Sequence, residues 1–183
     1  MPTPSAMLPL GTFAPDFQLP DTVSGQTLSL ADVRGEQATV VMFTCNHCPY
    51  VKHVESEMVR LAADYQPRGV GFAAISSNDV TRYPEDGPAE MVEVARQQGY
   101  TFPYLYDESQ DVARAYSAAC TPDFYVFDEQ LRCVYRGRLD DSTPGNKKPL
   151  SGANLRAALD AMLGKGVVSG DQFPSYGCSI KFR

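Results

Sequence analysis

The sequence predicts an α/β domain in which helices flank a central mixed β-sheet. Apolar runs rich in β-branched residues, at 38–44 and 70–75, alternate with segments of helical periodicity, as in parallel strands joined by helices. Two later runs, 124–127 and 131–139, are separated by a short turn and predict an antiparallel hairpin. A chain of 183 residues can bury one substantial core. We therefore predict a single domain over residues 1–183.

The first elements predict an N-terminal extension followed by a buried strand. Residues 1–37 contain two short β-type runs around a turn at Asp21, which predicts a small hairpin. The strand at 38–44 leads directly into the motif TCNHCPY, residues 44–50. A helical pattern follows the motif and stops at the Gln66-Pro67-Arg68-Gly69 segment, because proline and glycine end helices.

The remaining elements are predicted from helix start and stop signals. Pro88 fits a first helical position and Gly99 the end of that helix, and 102–106 predicts a short strand. Ser109 is predicted to cap the next short helix. The last helix spans 151–163. The final segment, 165–183, shows no clear period and is expected to be an extended tail over the surface.

Composition restricts the function classes. The 16 basic and 22 acidic side chains give a net charge of −6, which argues against a nucleic-acid or anionic-membrane partner. We find no secretory signal at the N-terminus and no run of membrane-spanning length, so a cytoplasmic location is expected. Five cysteines are too few for a secreted disulfide scaffold. In a reducing compartment, a Cys-x-x-Cys pair is typical of redox chemistry or metal binding.

Cys45 and Cys48 are the predicted catalytic residues. We expect the strand to run straight into the helix, so that both sulfurs lie in its first turn beside unpaired backbone N–H groups. Positive partial charge there favours the thiolate, which is the reactive form of cysteine. Residues three apart on a helix can meet, so the two sulfurs can form a disulfide. His47 can stabilise the thiolate further, or it is a solvated loop histidine.

With these elements and motifs in place, the chain resembles the thioredoxin-fold redoxins. The resemblance covers about residues 11–163 and is to the peroxiredoxin-like AhpC/TSA proteins and the TlpA-like thiol-disulfide reductases. It implies a thioredoxin-like three-layer fold and a cis-proline loop, which Thr121-Pro122 fits. In such proteins the residue before the cis-proline docks the substrate chain. The resemblance also implies that Cys45 is the exposed nucleophile and that Cys48 resolves the mixed disulfide.

The order of attack stays open at this point. If Pro49 is the first helical residue, Cys48 is the N-cap and lies nearest the helix dipole. Peroxiredoxins have Cys-Pro at their reactive position, which favours Cys48 as a peroxide-reactive thiol. They also have threonine or serine three residues earlier, proline seven earlier, and an arginine near the segment where this chain has Thr121-Pro122. Here Cys45 and Val41 replace the first two. Thiol-disulfide exchange therefore ranks above hydroperoxide reduction.

The expected partners follow from that ranking. They are a protein or small-molecule disulfide, or a hydroperoxide, as substrate, and a thioredoxin-type or other thiol as reductant. We expect no cofactor and no metal. The metal-binding alternative uses Cys45, His47, Cys48 and His53, with Cys120 as a further sulfur ligand.

The other three cysteines and the acidic loops lie outside the Cys-x-x-Cys motif. Cys120 is either a redox partner beside the cis-proline loop or apolar filler, and Cys133 is predicted to be in the core. Cys178 lies in a tail that can fold back, which leaves a resolving or mixed-disulfide role open, although its spacing does not support one. The loops 78–86 and Asp140-Asp141 are predicted to be solvated faces.

Overall fold

The computed structural model describes residues 1–183, and its mixed α/β architecture is the predicted one. No helix in it combines the length and the apolar run needed to cross a membrane. The strands are β1 (Thr3–Pro4), β2 (Gln18–Pro20), β3 (Thr27–Ser29), β4 (Ala38–Thr44), β5 (Val70–Ser76), β6 (Tyr104–Tyr106), β7 (Cys120–Thr121), β8 (Asp123–Phe127), β9 (Cys133–Gly137) and β10 (Tyr176–Ser179). The helices are α1 (Leu30–Val33), α2 (Pro49–Tyr65), α3 (Pro88–Gln98), α4 (Asp111–Ala115) and α5 (Ala153–Leu163).

The central sheet has five strands in the order β6-β5-β4-β8-β9. Strands β4, β5 and β6 are parallel to one another, whereas β8 is antiparallel to both β4 and β9. The predicted N-terminal hairpin is present, with Leu19 opposite Leu28. Strand β4 is therefore the middle of the sheet, and its carboxyl end carries the cysteine motif.

Alternate residues of β4 face two separate hydrophobic cores. Val40 and Met42 pack in a cluster of 23 buried residues that includes side chains of α2, α3 and α5. Val41 and Phe43 point the other way, into a cluster of 18 buried residues that includes side chains of α1 and α4. Side chains alternate across a strand, so an uninterrupted apolar run is what a strand covered on both faces requires. The sheet is accordingly the middle of three layers.

Most helix boundaries follow the proline and glycine signals. Pro49 and Pro88 each occupy the first position of their helix, and Gly99 ends α3 in the left-handed conformation with φ of 73°. Helix α4 differs from the prediction. Its N-cap is Gln110, also left-handed, and Ser109 only accepts a hydrogen bond from the Asp111 N–H.

Some strand limits also differ from the predictions. The strand predicted at 102–106 begins at Tyr104, and the strand predicted at 131–139 spans only Cys133–Gly137. Leu131 has φ of 62° in the turn before it, and a residue in that conformation cannot continue an extended strand.

The C-terminal segment is more ordered than an extended surface tail. Strand β10 lies between β1 and β7 in a small antiparallel sheet, with Gly177 opposite Thr3 and Cys178 opposite Thr121. Beyond it, the Ile180 N–H donates to the carbonyl of Ala119. The C-terminal segment is therefore fixed beside the strand that precedes the predicted cis-proline, and the N-terminal strand is fixed to the outer edge of β10.

Candidate redox site

The two motif cysteines occupy different positions relative to helix α2. Cys48 is its N-cap, with φ of −71° and ψ of 124°, and Pro49 is its first residue. Cys45 directly follows strand β4 and precedes the helix, so the prediction that both sulfurs lie in the first helical turn is wrong. The N–H group of the first helical residue has no partner within the helix, so proline, which lacks this group, is well suited to that position. Pro49 therefore marks the start of α2. Only Cys48 lies at the positive end of the helix dipole.

Both sulfurs are covered. Cys45 and Cys48 each have 0% of their surface exposed, contrary to the exposed nucleophile that the resemblance implied. They form a small apolar cluster with Val51, and Tyr50 and Cys178 pack against it. The covering residue Cys178 comes from β10, a strand whose position the sequence did not predict.

Hydrogen bonds favour the ionised form of Cys48. They lower the pKa of the Cys48 thiol to about 5, and the largest contribution comes from the thiol of Cys45. The thiol of Cys178 and the backbone N–H of Val51 also stabilise the anion, and together they outweigh the desolvation that burial imposes. The Cys178 sulfur lies 2.7 Å from the Cys48 sulfur. The ionised form of Cys48 is thus favoured although its side chain is buried.

Cys45 has the opposite tendency. Its hydrogen bond to Cys48, its burial and the nearby carboxylate of Asp86 all raise the pKa of the Cys45 thiol far above its ordinary value. The Cys45 sulfur also lies 3.4 Å from the hydroxyl oxygen of Thr121. The favoured state of the pair is therefore a protonated Cys45 beside an ionised Cys48.

The cis-proline loop lies against both cysteines. The Thr121-Pro122 peptide bond is cis, as the resemblance implied. The Cys48 sulfur is 3.5 Å from the carbonyl oxygen of Thr121. Thr121 itself is 2% exposed, because β10 pairs with its outer edge. The predicted docking residue is therefore beside the sulfurs, and a strand of the same chain covers it.

A buried carboxylate that sequence reasoning missed holds the turn between the cysteines. Asp86 has 0% exposure and accepts hydrogen bonds from the backbone N–H groups of Asn46, at 2.7 Å, and His47, at 3.1 Å. The His47 Nδ1 lies 2.5 Å from it, and the Asn78 side-chain amide donates to it at 2.8 Å. The His47 ring also stacks on Tyr83. These contacts fix the backbone that presents both sulfurs.

The prediction of solvated loops at 78–86 and Asp140-Asp141 is wrong for four of their polar side chains. Asn78, Asp79 and Asp86 are buried, as is Asp140, which accepts hydrogen bonds from the backbone N–H groups of Ser151 and Gly152. A polar residue in a loop gives no local signal of such burial. The only sequence feature that indicated a role for loop 78–86 was its position after a parallel strand, because functional groups usually lie at the carboxyl ends of such strands.

The remaining cysteines differ in environment. Cys133 packs in the second core cluster, which confirms its predicted core position. Cys120 is also fully buried, and its sulfur lies 4.0 Å from the Pro122 carbonyl oxygen and 3.9 Å from that of Ser175. Burial raises the pKa of the Cys120 thiol well above its ordinary value. Cys120 thus supports the cis-proline strand and faces away from the reactive sulfurs.

One group of side chains has metal-ligand character. Ligand atoms of Cys45, His47 and Asp86 all lie within 4.8 Å of one another. This set differs from the predicted alternative, because His53 faces elsewhere and lies 2.6 Å from the hydroxyl of Ser142. Sulfur, imidazole and carboxylate together suit zinc or copper. Here the same three atoms already have hydrogen-bonding partners within the protein.

A cleft opens beside the redox turn. It has a volume of about 130 Å³ and is bounded on the side of the cysteines by Tyr50, Pro122 and Tyr176. Arg138 and Asp141 line its outer part. No cysteine lines the cleft, which is bounded instead by neighbours of the cysteines such as Tyr50 and Pro122.

Comparisons with known proteins identify relatives of this chain and structures that share its fold. A solved structure of an uncharacterized conserved protein from Geobacillus kaustophilus is 57% identical, with a TM-score of 0.99 over 100% of this chain and 97% of that one. A Mycobacterium tuberculosis protein named as a candidate peroxiredoxin is 29% identical over 63% of this chain and 68% of its own length. A Chlorobium tepidum structure named as a candidate thiol:disulfide interchange protein DsbE shares the fold, with 20% identity and a TM-score of 0.68 over 86% of this chain and 100% of its own.

The fold is therefore thioredoxin-like, with the cysteine motif at the carboxyl end of its central strand and a cis-proline loop against it. The family model described as AhpC/TSA matches residues 10–136, more than half of the chain and the whole of the segment that contains both features. The chain belongs to the AhpC/TSA family of redoxins.

Proposed function

We propose that this redoxin is a thiol-disulfide oxidoreductase in which Cys48 is the attacking thiolate and Cys45 is its first partner. The observation that carries the proposal is the position of Cys48 at the N-terminus of α2, where thiol and N–H donors lower the pKa of its thiol. This order of attack is the reverse of the one that the family resemblance implied. A protonated Cys45 is a poor nucleophile, whereas a thiolate at Cys48 is ready to attack.

Cys48 and Cys45 together supply the two electrons that reduce one substrate disulfide. The Cys48 thiolate attacks one sulfur of a substrate disulfide, and the other sulfur leaves as a thiolate. Cys45 then transfers its proton to the departing substrate sulfur and attacks Cys48, which closes a Cys45–Cys48 disulfide. The substrate is reduced by two electrons, and an external dithiol must reduce the protein again. Because both sulfurs are fully covered, this proposal requires β10 to move away from Cys48 when substrate enters.

Hydroperoxide reduction is the second candidate, and a specific feature favours it. The Cys48-Pro49 pair at a helix start is shared with peroxiredoxins, and the candidate peroxiredoxin of Mycobacterium tuberculosis is a relative. Against it, the groups that lower the pKa of Cys48 are thiols and backbone N–H groups rather than an arginine. The position three residues earlier holds Cys45 in place of a hydroxyl side chain. Disulfide exchange therefore agrees better with the geometry.

Turnover by matched variants tests the proposal. Disulfide reduction and hydroperoxide consumption are measured with dithiothreitol as reductant, using the wild type, Cys45→Ser, Cys48→Ser and the core control Cys133→Ser. We expect Cys48→Ser to lose disulfide reduction, Cys45→Ser to form the mixed disulfide at Cys48 but turn over more slowly, and Cys133→Ser to retain activity. Hydroperoxide consumption that needs Cys48 but not Cys45, without disulfide reduction, would favour the peroxidase instead.

A further inference from the structure

A third sulfur lies against the reactive pair. The sulfur of Cys178 is 2.7 Å from that of Cys48, although the two residues are 130 positions apart in the chain. Cys178 is partly exposed, whereas Cys45 and Cys48 have no exposed surface. Of the three neighbouring cysteines, Cys178 is therefore the one that has exposed surface.

The strand that carries Cys178 occupies the edge where an extended substrate would dock. Cys178 pairs with Thr121 and Ser179 pairs with Cys120, both in the strand that precedes the cis-proline. An extended chain that adds to an exposed strand edge gains backbone hydrogen bonds and places alternate side chains toward the site. Here the protein's own C-terminal strand has that arrangement, and the side chain that meets Cys48 is a thiol.

The fit of this strand depends on a glycine. A Cβ atom at Gly177 would lie 1.8 Å from the carbonyl oxygen of Thr121, so only glycine allows this approach. The hydroxyl of Ser175 donates to the carbonyl of Pro122, and Thr3 of β1 pairs with the opposite edge of the strand at Gly177. Contacts along both edges of β10 thus hold Cys178 in place.

We propose that Cys178 is a third redox-active cysteine, which exchanges disulfides with Cys48 and connects the buried pair to reductants in solvent. The inference rests on the proposed function. Once Cys45–Cys48 is oxidised, both of its sulfurs are out of reach of an external thiol. Cys178 attacks the Cys48 sulfur, Cys45 leaves and takes the proton of Cys178, and a Cys48–Cys178 disulfide replaces the first one.

The last step reduces the Cys48–Cys178 disulfide at Cys178, the partly exposed cysteine. A thiolate of an external dithiol attacks Cys178, Cys48 leaves as a stabilised thiolate, and the second thiol of the reductant then releases Cys178. Two electrons pass from the reductant to the protein, and the reductant becomes a disulfide. Low pKa makes Cys48 a good leaving group, which favours attack at Cys178.

Disulfide mapping tests the proposal in the full chain. The reduced protein receives one equivalent of diamide and is quenched with N-ethylmaleimide at successive times, and linked peptides are identified by mass spectrometry. We expect both Cys45–Cys48 and Cys48–Cys178 linkages in the wild type. Cys178→Ser should show only the first and should slow its reduction by dithiothreitol at least tenfold. Ser179→Ala, in the same strand, should behave as the wild type.

The outcomes separate the two proposals. If Cys45–Cys48 forms and turnover persists while Cys178 is never linked and Cys178→Ser is reduced at the wild-type rate, the role of Cys178 is wrong and the proposed function stands. If no disulfide forms at Cys48 in any variant, the proposed function fails as well.

A glycine substitution gives a second test that keeps every thiol. Gly177→Ala should displace β10, reduce the Cys48–Cys178 linkage and speed alkylation of Cys48 by iodoacetamide. Gly170→Ala is the matched control, because a Cβ there meets nothing within 4 Å. Unchanged linkage and alkylation in a folded Gly177→Ala protein would show that this strand does not hold the two thiols together.

Discussion

Replacing Cys45 by alanine should raise the pKa of Cys48. The Cys45 thiol is the largest stabiliser of the Cys48 thiolate, and a hydrogen bond to a charged group is worth about 1.5–3 kcal/mol. One pKa unit corresponds to about 1.4 kcal/mol, so loss of this donor should move the Cys48 pKa from about 5 to between about 6 and 7. The matched variant Cys45→Ser keeps an O–H donor and should show a smaller rise.

Thiolate absorbance at 240 nm between pH 4 and pH 8 measures this change. Burial raises the thiol pKa of Cys120, Cys133 and Cys178, and hydrogen bonding to Cys48 and burial raise that of Cys45. One thiolate equivalent should therefore titrate in this range, and it should disappear in Cys48→Ser. An unchanged midpoint in a folded Cys45→Ala protein would refute the role of Cys45 as donor. Two equivalents in the wild type would refute the assignment of a single thiolate.

Three further predictions concern the surroundings of the sulfurs. Burial raises the pKa of Asp123 to about 8, so its contribution to stability is complete below an unfolded pKa of about 3.9 and is lost as pH rises through about 8. Asp123→Asn should therefore flatten the fall of the urea midpoint between pH 4 and pH 8. Asp86→Ala should leave several buried donors unpaired and lower the free energy of unfolding by about 3 kcal/mol in urea titrations, with a smaller loss for Asp86→Asn. His47→Ala should lower the reduction potential measured in glutathione buffers, and an unchanged potential would assign His47 to anchoring Asp86 alone.

Local patterns in the sequence predicted the parts of the site that lie on regular elements. The buried strand β4, the cysteine motif after it and the helix beginning at Pro49 all leave signals within a few residues. The cis-proline loop was predicted from the family resemblance, because a Thr-Pro pair alone does not reveal a cis bond. Predicting whether Cys45 lies in the helix or before it required deciding whether Pro49 is the first helical residue.

Long-range contacts account for what the sequence did not reveal. Cys178 and Cys48 are 130 residues apart, and the strand that joins them has no hydrophobic period to mark it. Its burial pattern is irregular because it packs by backbone pairing and by the close approach of Gly177, not by an apolar face. Asp86 was missed for a related reason, since its partners are backbone groups of a turn 40 residues earlier.

The contrast between Cys48 and Cys120 shows what creates a reactive thiol in this fold. Both side chains are fully buried, and burial alone raises a thiol pKa, as it does for Cys120. Cys48 differs because it lies at the start of α2 beside the thiols of Cys45 and Cys178, whereas the Cys120 sulfur has only carbonyl oxygens as partners. Covering a thiolate with donors therefore keeps it ionised without exposing it. Such a site needs a way to pass electrons to solvent, and the partly exposed Cys178 is the neighbouring sulfur that can provide it.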